Sequence, residues 1–166
     1  MSAPNELAPT RHDLPESVRA AVVALCNARL ADAVDLYTQT KQAHWNVRGP
    51  NFIALHELFD EIGEDVEEYV DLTAERAVQL GGTALGTARL AAAASTLAEY
   101  PRAARTGREH VEAMADALAT YGRSVRSAID AADRLGDKDA ADLFTEISRG
   151  VDRWLWAVEA HVRANA

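Results

Sequence analysis

Apolar residues recur at spacings of three and four along the second half of this 166-residue chain, the period of one face of an α-helix. Two such stripes follow one another, separated by Gly136. Their members are Val111, Met114, Leu118, Tyr121, Val125 and Ile129 in the first stripe and Leu143, Ile147, Val151, Trp154, Val158 and Val162 in the second. Each stripe needs a partner to cover it, so the pattern predicts helices that pack on one another.

Glycine and proline mark where the predicted helices end. Gly49-Pro50 closes the first helix, Gly81-Gly82 closes the second, and Tyr100-Pro101 biases the connection before the third helix away from helical backbone. The predicted helices span residues 16–46, 51–80, 87–96, 102–134 and 139–163. Four long helices with a longer connection, holding one short helix, between the second and third predict an all-α, ferritin-like four-helix bundle with one crossover.

Length and composition indicate one domain over residues 1–166, with residues 1–14 as a flexible N-terminal tail. The longest apolar stretches are shorter than a bilayer requires, and the first residues lack the features of a signal peptide. We therefore expect a cytoplasmic protein without a membrane partner. Cys26 is the only cysteine, and its apolar neighbours favour a buried structural thiol.

The formal net charge of -9 argues against nucleic acid as a default partner and favours cations. Nine acids and no Lys or Arg lie between Asn51 and Glu75, whereas a solvated helix face normally mixes both signs. Four of these acids, Glu57, Glu61, Asp65 and Glu68, are interpreted as an exposed acidic face. The others join an imidazole within an arc of roughly 100° on the helix: His56, Asp60, Glu64, Glu67, Asp71 and Glu75. Carboxylates suit iron or manganese, and histidine suits iron or zinc.

One copy of this helix is too long to close one metal site. At about 1.5 Å per residue, Asp60 and Asp71 lie about 16 Å apart along the axis and His56 and Glu75 about 28 Å. Both pairs are centred near residues 65 and 66, so two antiparallel copies related by a two-fold axis would face His56 and Asp60 with Glu75 and Asp71 of the partner. No Glu is followed three residues later by His, which disfavours a di-iron centre inside one bundle.

A continuous block of the chain, roughly residues 41–82, resembles the Dps family of bacterial mini-ferritins. The motifs are Lys41-x-x-His44-Trp45-Asn46-Val47-x-Gly49, Phe52-x-x-Leu55-His56-x-Leu58-Phe59-Asp60-Glu61 and Asp71-x-x-Ala74-Glu75-Arg76. The resemblance implies a ferroxidase centre at the two-fold interface of a hollow twelve-subunit shell. Its ligands would be His44, His56 and Asp60 of one subunit with Asp71 and Glu75 of its neighbour, and Asp60 either ligates or orients a ligand. Without the resemblance, a lone helix-terminal residue such as His44 more often satisfies the last carbonyls of its own helix.

The resemblance also implies a reaction and a route for its substrate. Two ferrous ions would be oxidised, preferably by hydrogen peroxide and otherwise by dioxygen, and the ferric product would collect as an oxide core. Trp45 either traps a stray oxidising equivalent or packs at the interface, and packing is the favoured reading. The resemblance suggests that Asp137, Asp142 and Glu146 line a three-fold pore, although capping of the fourth helix explains Asp137 equally well.

The chain departs from the lysine-rich tail with which DNA-condensing members of that family bind DNA. It contains only two lysines, Lys41 and Lys138. Repetition of a charge near -9 over a shell repels phosphates, so DNA binding is predicted to be weak or absent near neutral pH. The alternatives left open are a non-enzymatic DNA-compacting nucleoid protein with a vestigial or structural metal site and an oligomeric bundle that binds zinc or manganese passively.

Overall fold

The computed structural model describes residues 7–163, and within this range all regular structure is helical. The helices are α1 Glu16–Asn46, α2 Phe52–Gln79, α3 Ala88–Ala94, α4 Gly107–Leu135 and α5 Lys138–Arg163. The predicted bundle of four long helices with one short helix in the crossover is confirmed. None of the helices in this range is both long and apolar enough to span a bilayer.

The four long helices pack as two pairs that share one core. α1 packs on α2 and α4 packs on α5, while α1 also contacts α4 and joins the pairs. Within each pair the connecting turn is short, so the helices run antiparallel. The largest fully buried side chains come from every long helix and include Leu36, Phe59, Tyr121 and Phe144. Both predicted stripes face this core, because a helix that exposes one side to water buries the other.

α1 is buried on more than one side because the crossover lies against it. Asp32 is fully buried on α1 and accepts hydrogen bonds from the backbone N–H (2.7 Å) and hydroxyl (3.0 Å) of Thr96 in the crossover. The Arg29 guanidinium also pairs with Asp32, with Nη2 2.8 Å from Oδ2, and the Ser124 hydroxyl of α4 donates to the same oxygen at 3.3 Å. A buried carboxylate is tolerated only when it is paired in this way, so Asp32 fixes the crossover to the bundle.

The N-terminal segment differs from the expected flexible tail. Leu7 and Leu14 pack against the core, and the Ala8 N–H donates to the Gly81 carbonyl at 2.7 Å. Gly81 adopts φ 86°, a left-handed conformation that follows the end of α2 and that glycine adopts without strain. For residues 7–14, the expectation of a tail over 1–14 is therefore corrected, and residues 1–6 lie outside the described residues.

Cys26 is buried, as its apolar neighbours predict. Burial raises its pKa to about 12, so it is a neutral thiol.

α4 begins at Gly107 rather than near residue 102 because a capping box fixes its start. The Thr106 hydroxyl accepts the Glu109 N–H, and the Glu109 carboxylate accepts the Thr106 N–H at 2.9 Å. Hydrogen bonds from the backbone N–H groups of Thr106 and Arg105 hold the pKa of Glu109 below its ordinary value.

Replacing the cap residue should weaken the bundle measurably. We expect Thr106→Ala to lower the free energy of unfolding by about 1 kcal/mol, because the first turn of α4 loses its side-chain acceptor. Denaturant titration at one protein concentration measures the change. Thr87 is the matched control, since it precedes α3 and makes no cap hydrogen bond. An equal loss in Thr87→Ala would show that the capping box contributes nothing specific.

Candidate metal centre

Two histidines that are twelve residues apart meet where α1 turns into α2. His44 lies in the last turn of α1 and His56 in the second turn of α2. Their rings stack with centroids 3.7 Å apart, and both side chains are half-buried. The short connection at Gly49-Pro50 produces this contact because it returns the chain directly alongside α1. The structure therefore brings together the two imidazoles that the sequence motifs single out.

Reciprocal hydrogen bonds fix the chemistry of both rings. His44 Nδ1 lies 2.8 Å from the His56 carbonyl oxygen, and His56 Nδ1 lies 2.8 Å from the His44 carbonyl oxygen. A carbonyl can only accept, so each Nδ1 carries the proton and donates it. In the neutral ring Nε2 then keeps its lone pair. An Nδ1–H bonded to a backbone carbonyl is the arrangement that orients metal-binding histidines. Since His44 Nδ1 bonds a carbonyl of α2, this nitrogen does not cap the end of its own helix.

Asp60 adds a carboxylate next to the histidines. It lies on α2 one turn after His56, and its Oδ1 is 3.8 Å from His44 Nδ1. Lys41 Nζ donates to the same oxygen at 2.5 Å. This hydrogen bond is the main reason why the pKa of Asp60 is lowered and that of Lys41 is raised. Asp60 is therefore ionised and ready to bind a cation, but a metal ion must share it with the Lys41 ammonium.

Asp71 and Glu75 are both exposed on α2, far from the histidines. Their helix positions place them about 16 Å and 22 Å beyond Asp60 along the axis. Among residues 7–163, no group of three or more His, Cys, Asp or Glu side chains is close enough to hold a metal ion. One chain therefore carries two separated sets of donors, which we call the histidine half-site (His44, His56, Asp60) and the acidic half-site (Asp71, Glu75).

Trp45 lies beside the histidine half-site with 68% of its surface exposed. It lines a cavity of about 700 Å³ together with Lys41 and Tyr37 of α1 and Tyr100 of the crossover. A tryptophan this exposed is unusual in a folded chain and marks a surface suited to burial against another molecule.

Asp137 does not belong to an exposed pore surface. Its side chain is 2% exposed, its Oδ1 is 2.6 Å from Arg76 Nη2, and the same oxygen accepts the Ala140 N–H at 2.9 Å. It therefore caps α5 and pairs with a buried arginine of α2, which corrects the assignment of Asp137 to the pore. Asp142 and Glu146 differ from it, since both are exposed on one face of α5 and have no such partners in the described chain.

Asp65 was expected on the solvated acidic face, and this expectation is wrong. Its Oδ2 accepts hydrogen bonds from Trp154 Nε1 at 2.8 Å and from Arg153 Nη2 at 2.7 Å, and the Arg153 guanidinium lies over the Trp154 ring. It thus joins α2 to α5. The partners are 88 and 89 residues away along the chain, so no local pattern could have indicated them.

The bundle, its crossover helix and its carboxylate and histidine donors define a ferritin-like protein, and a ferritin-like domain model matches residues 23–165. The chain is 42% identical to the DNA protection during starvation protein of Agrobacterium fabrum over 93% of its own length and 95% of that protein. It belongs to the Dps family of ferritin-like proteins.

Solved structures of Dps proteins share the fold over nearly the whole chain. DpsC from Streptomyces coelicolor superposes with a TM-score of 0.92 and 26% identity, covering 98% of this chain and 95% of that one. Dps from Microbacterium arborescens, solved in a high iron form, gives a TM-score of 0.83 and 32% identity, covering 95% and 99%.

Proposed function

We propose that this protein is a ferroxidase and iron-storage mini-ferritin that protects the cell against oxidative damage. The observation that carries the proposal is the histidine half-site, where reciprocal Nδ1–H bonds leave the Nε2 atoms of His44 and His56 as ligands beside the ionised Asp60. Imidazole and carboxylate together suit ferrous iron. The family relation to a Dps protein described in a high iron form supports iron as the substrate.

The complete site forms between two subunits. One chain supplies the histidine half-site, and its two-fold partner supplies Asp71 and Glu75, because the two half-sites of one chain are too far apart to meet. A two-fold contact yields two equivalent sites per dimer. We propose a homo-dodecamer built from six such dimers, in which each 166-residue chain is one domain and Trp45 packs at the dimer interface beside the site.

The chemistry requires two ferrous ions held near each other. Each ion gives up one electron, and the two electrons together with two protons reduce one hydrogen peroxide to two waters, so no one-electron product is released. Hydrolysis of the ferric ions to oxide releases protons and more than replaces the two consumed. The protein contributes the negative charge of Asp60, Asp71 and Glu75, which stabilises the ferric product more than the ferrous substrate. Dioxygen is the alternative oxidant, and the ferric product is stored as oxide in the hollow interior.

Asp142 and Glu146 are proposed to attract ferrous ions at a three-fold pore. They lie one turn apart on the same exposed face of α5, as required of side chains that line a common opening. Asp137 has no part in this role because its carboxylate is bound to Arg76.

Anaerobic loading with ferrous iron, followed by peroxide, tests the proposed function. We expect about one peroxide consumed per two irons, ultraviolet absorbance from ferric oxide, and loss of the rapid phase in the double variant Asp71→Ala, Glu75→Ala. A passive zinc or manganese binder would consume no peroxide. The mass in solution tests the assembly independently: about twelve times 18.0 kDa is expected, and a monomer would contradict the storage role.

DNA binding is expected to be weak or absent between pH 7 and 8. The chain has 26 acidic and 17 basic Lys and Arg residues, so the assembly repels phosphate backbones. A mobility-shift assay at low salt, with the iron-free protein, checks this result. Tight binding that weakens steeply with added salt would contradict it and favour the DNA-compacting function instead. We propose a cytoplasmic location, and tight DNA binding in this assay would add association with the nucleoid.

A further inference from the structure

Tyr100 and His110 form a hydrogen-bonded pair near the end of α1. The Tyr100 hydroxyl lies 2.5 Å from His110 Nδ1, and the two rings stack with centroids 6.0 Å apart. Tyr100 belongs to the crossover, and His110 lies near the start of α4. Neither residue is part of the histidine half-site or the acidic half-site, so the pair requires an explanation of its own.

The Tyr100 hydroxyl is the donor of this hydrogen bond. Burial raises the pKa of Tyr100, so the phenol keeps its proton at neutral pH. Burial lowers the pKa of His110, which is 1% exposed, so the imidazole is neutral. A neutral imidazole accepts a hydrogen bond only at the nitrogen that carries no proton, so Nδ1 accepts and Nε2 carries the ring proton.

The surroundings of His110 prepare the ring to take up a second proton. The backbone of Asn46, at the end of α1, favours the protonated ring, and so does the Glu109 carboxylate beside it. Arg105 opposes protonation, but less strongly than either of them favours it. Burial is the largest of these effects and keeps the ring neutral while the phenol is intact. His110 is therefore a base within hydrogen-bond reach of the proton that it would accept.

The other three tyrosines of the chain lack such a base. Among residues 7–163, Tyr100 is the one tyrosine whose hydroxyl is hydrogen-bonded to a histidine. Tyr121 is fully buried, and its hydroxyl has no hydrogen-bond partner in the same range. A phenol that loses one electron becomes strongly acidic, and a buried positive charge is costly, so the oxidation requires a base to take the proton. Tyr100 is therefore the tyrosine best placed to be oxidised by one electron.

The pair lies close to the histidine half-site. His110 interacts with the backbone of Asn46, two residues after His44, and Tyr100 lines the cavity of about 700 Å³ that Trp45 also lines. A site that holds a single ferrous ion can give hydrogen peroxide only one electron, and the products are then hydroxide and hydroxyl radical. A second electron donor beside the site would prevent the escape of that radical.

We propose that Tyr100 and His110 are a redox-active pair that supplies the second electron when only one ferrous ion is bound. The inference rests on the ferroxidase function proposed above. Tyr100 loses one electron to the hydroxyl radical, which becomes hydroxide, and the phenolic proton passes to His110 Nδ1. A neutral tyrosyl radical and an imidazolium remain.

A second ferrous ion restores the pair. It gives one electron to the tyrosyl radical, and the proton returns from His110 Nδ1 to the phenolic oxygen. The complete sequence oxidises two ferrous ions and converts one peroxide to two hydroxides. The ratio of two irons per peroxide is therefore the same as when both ions are bound together.

Photochemical oxidation of the iron-free protein tests the pair without ferroxidase chemistry. A flash-excited ruthenium tris(bipyridine) complex with persulfate supplies the one-electron oxidant, and electron paramagnetic resonance of the frozen sample detects the product. We expect a tyrosyl radical that is lost in Tyr100→Phe. High-field spectra should show a hydrogen bond donated to the phenoxyl oxygen, as an imidazolium would donate it, and His110→Phe should remove this feature. A full signal in Tyr100→Phe, or a radical without that hydrogen bond in the unaltered protein, would overturn the proposal.

Tyr37→Phe is the matched control because Tyr37 lines the same cavity as Tyr100. This variant should keep the tyrosyl signal of the unaltered protein. An equal loss of signal in Tyr37→Phe would show that the hydrogen bond to His110 does not select the tyrosine, and it would overturn the proposal. Thermal melting of each variant checks that it stays folded.

Spin trapping during iron oxidation connects the pair to the proposed function. With one ferrous ion per chain, Tyr100→Phe should release more trapped hydroxyl radical than Tyr37→Phe or the unaltered protein, and equal release would overturn the role in iron oxidation. Consumption of one peroxide per two irons without a Tyr100 radical in the photochemical experiment would overturn this inference alone. A Tyr100 radical in a protein that consumes no peroxide would instead contradict the ferroxidase function and support the redox activity of the pair.

Discussion

Assemblies that combine His56→Ala chains with Glu75→Ala chains should regain ferroxidase activity that neither variant has alone. Each variant by itself should break every site, since each proposed site takes His56 from one subunit and Glu75 from its partner. We expect the rate of the rapid phase of iron oxidation to fall about 100-fold or more in each variant. Loss of a metal ligand should reduce the rate at least as much as loss of a group that only orients a ligand.

The mixed dimer differs because both defects fall in the same site. One site receives the altered His56 and the altered Glu75, while the other receives neither and remains intact. Random mixing of equal amounts makes half of the dimers mixed, so about a quarter of all sites should work. Co-expression with two different affinity tags yields the mixed assemblies, and stopped-flow absorbance after ferrous addition measures the active fraction.

Glu68→Ala is the matched control for this experiment. Glu68 is an exposed acid on α2, but it lies outside the stripe that carries the half-sites. This variant should oxidise iron at the full rate, and its mixture with His56→Ala should be active in proportion to intact His56. Mixed assemblies of His56→Ala and Glu75→Ala with no recovered activity would show that the site does not draw on two subunits.

Asp137→Ala is expected to lower the free energy of unfolding by about 3 to 5 kcal/mol. The substitution leaves the Arg76 guanidinium, only 8% exposed, without its carboxylate and removes the cap of α5. Arg76 Nε and Asp137 Oδ2 already have no hydrogen-bond partner within residues 7–163. The two side chains are therefore joined by the bond from Arg76 Nη2 to Asp137 Oδ1 at 2.6 Å. Guanidinium denaturation at fixed protein concentration measures the loss.

Two comparisons separate the buried pair from other roles of Asp137. Asp139→Ala removes an 83% exposed carboxylate 3.8 Å from the same guanidinium and should cost less than about 1 kcal/mol. A loss of only about 1 kcal/mol in Asp137→Ala would mean that the helix cap alone matters. Unchanged stability with slower iron uptake would contradict the buried pair and return Asp137 to the pore.

The sequence alone predicts the helices well because their signals are local. Apolar spacing and the glycines at 49, 81 and 136 placed α1 at its observed bounds and α2 and α5 within one residue of theirs. The start of α4 was predicted five residues early, since the capping box at Thr106 overrides the helical pattern before it. The predicted flexible tail includes residues 7–14, which contact the bundle in the structure. The hydrogen bond between Ala8 and Gly81 joins residues 73 positions apart, so no local pattern indicates it.

For the site, the sequence by itself predicted that one helix carries two sets of candidate metal donors, and it determined that they are too far apart to meet, because the rise of a helix is fixed. The sequence could not determine which ring nitrogen of each histidine carries the proton. Only the tertiary structure decided that, by bringing the His44 and His56 carbonyls to the opposite rings. It also decided which acids are available to cations. Asp137 and Asp65 have the same side chain as Asp142, but α2 and α5 bring arginines to them across the bundle, and a carboxylate that is paired with an arginine is not available to a cation.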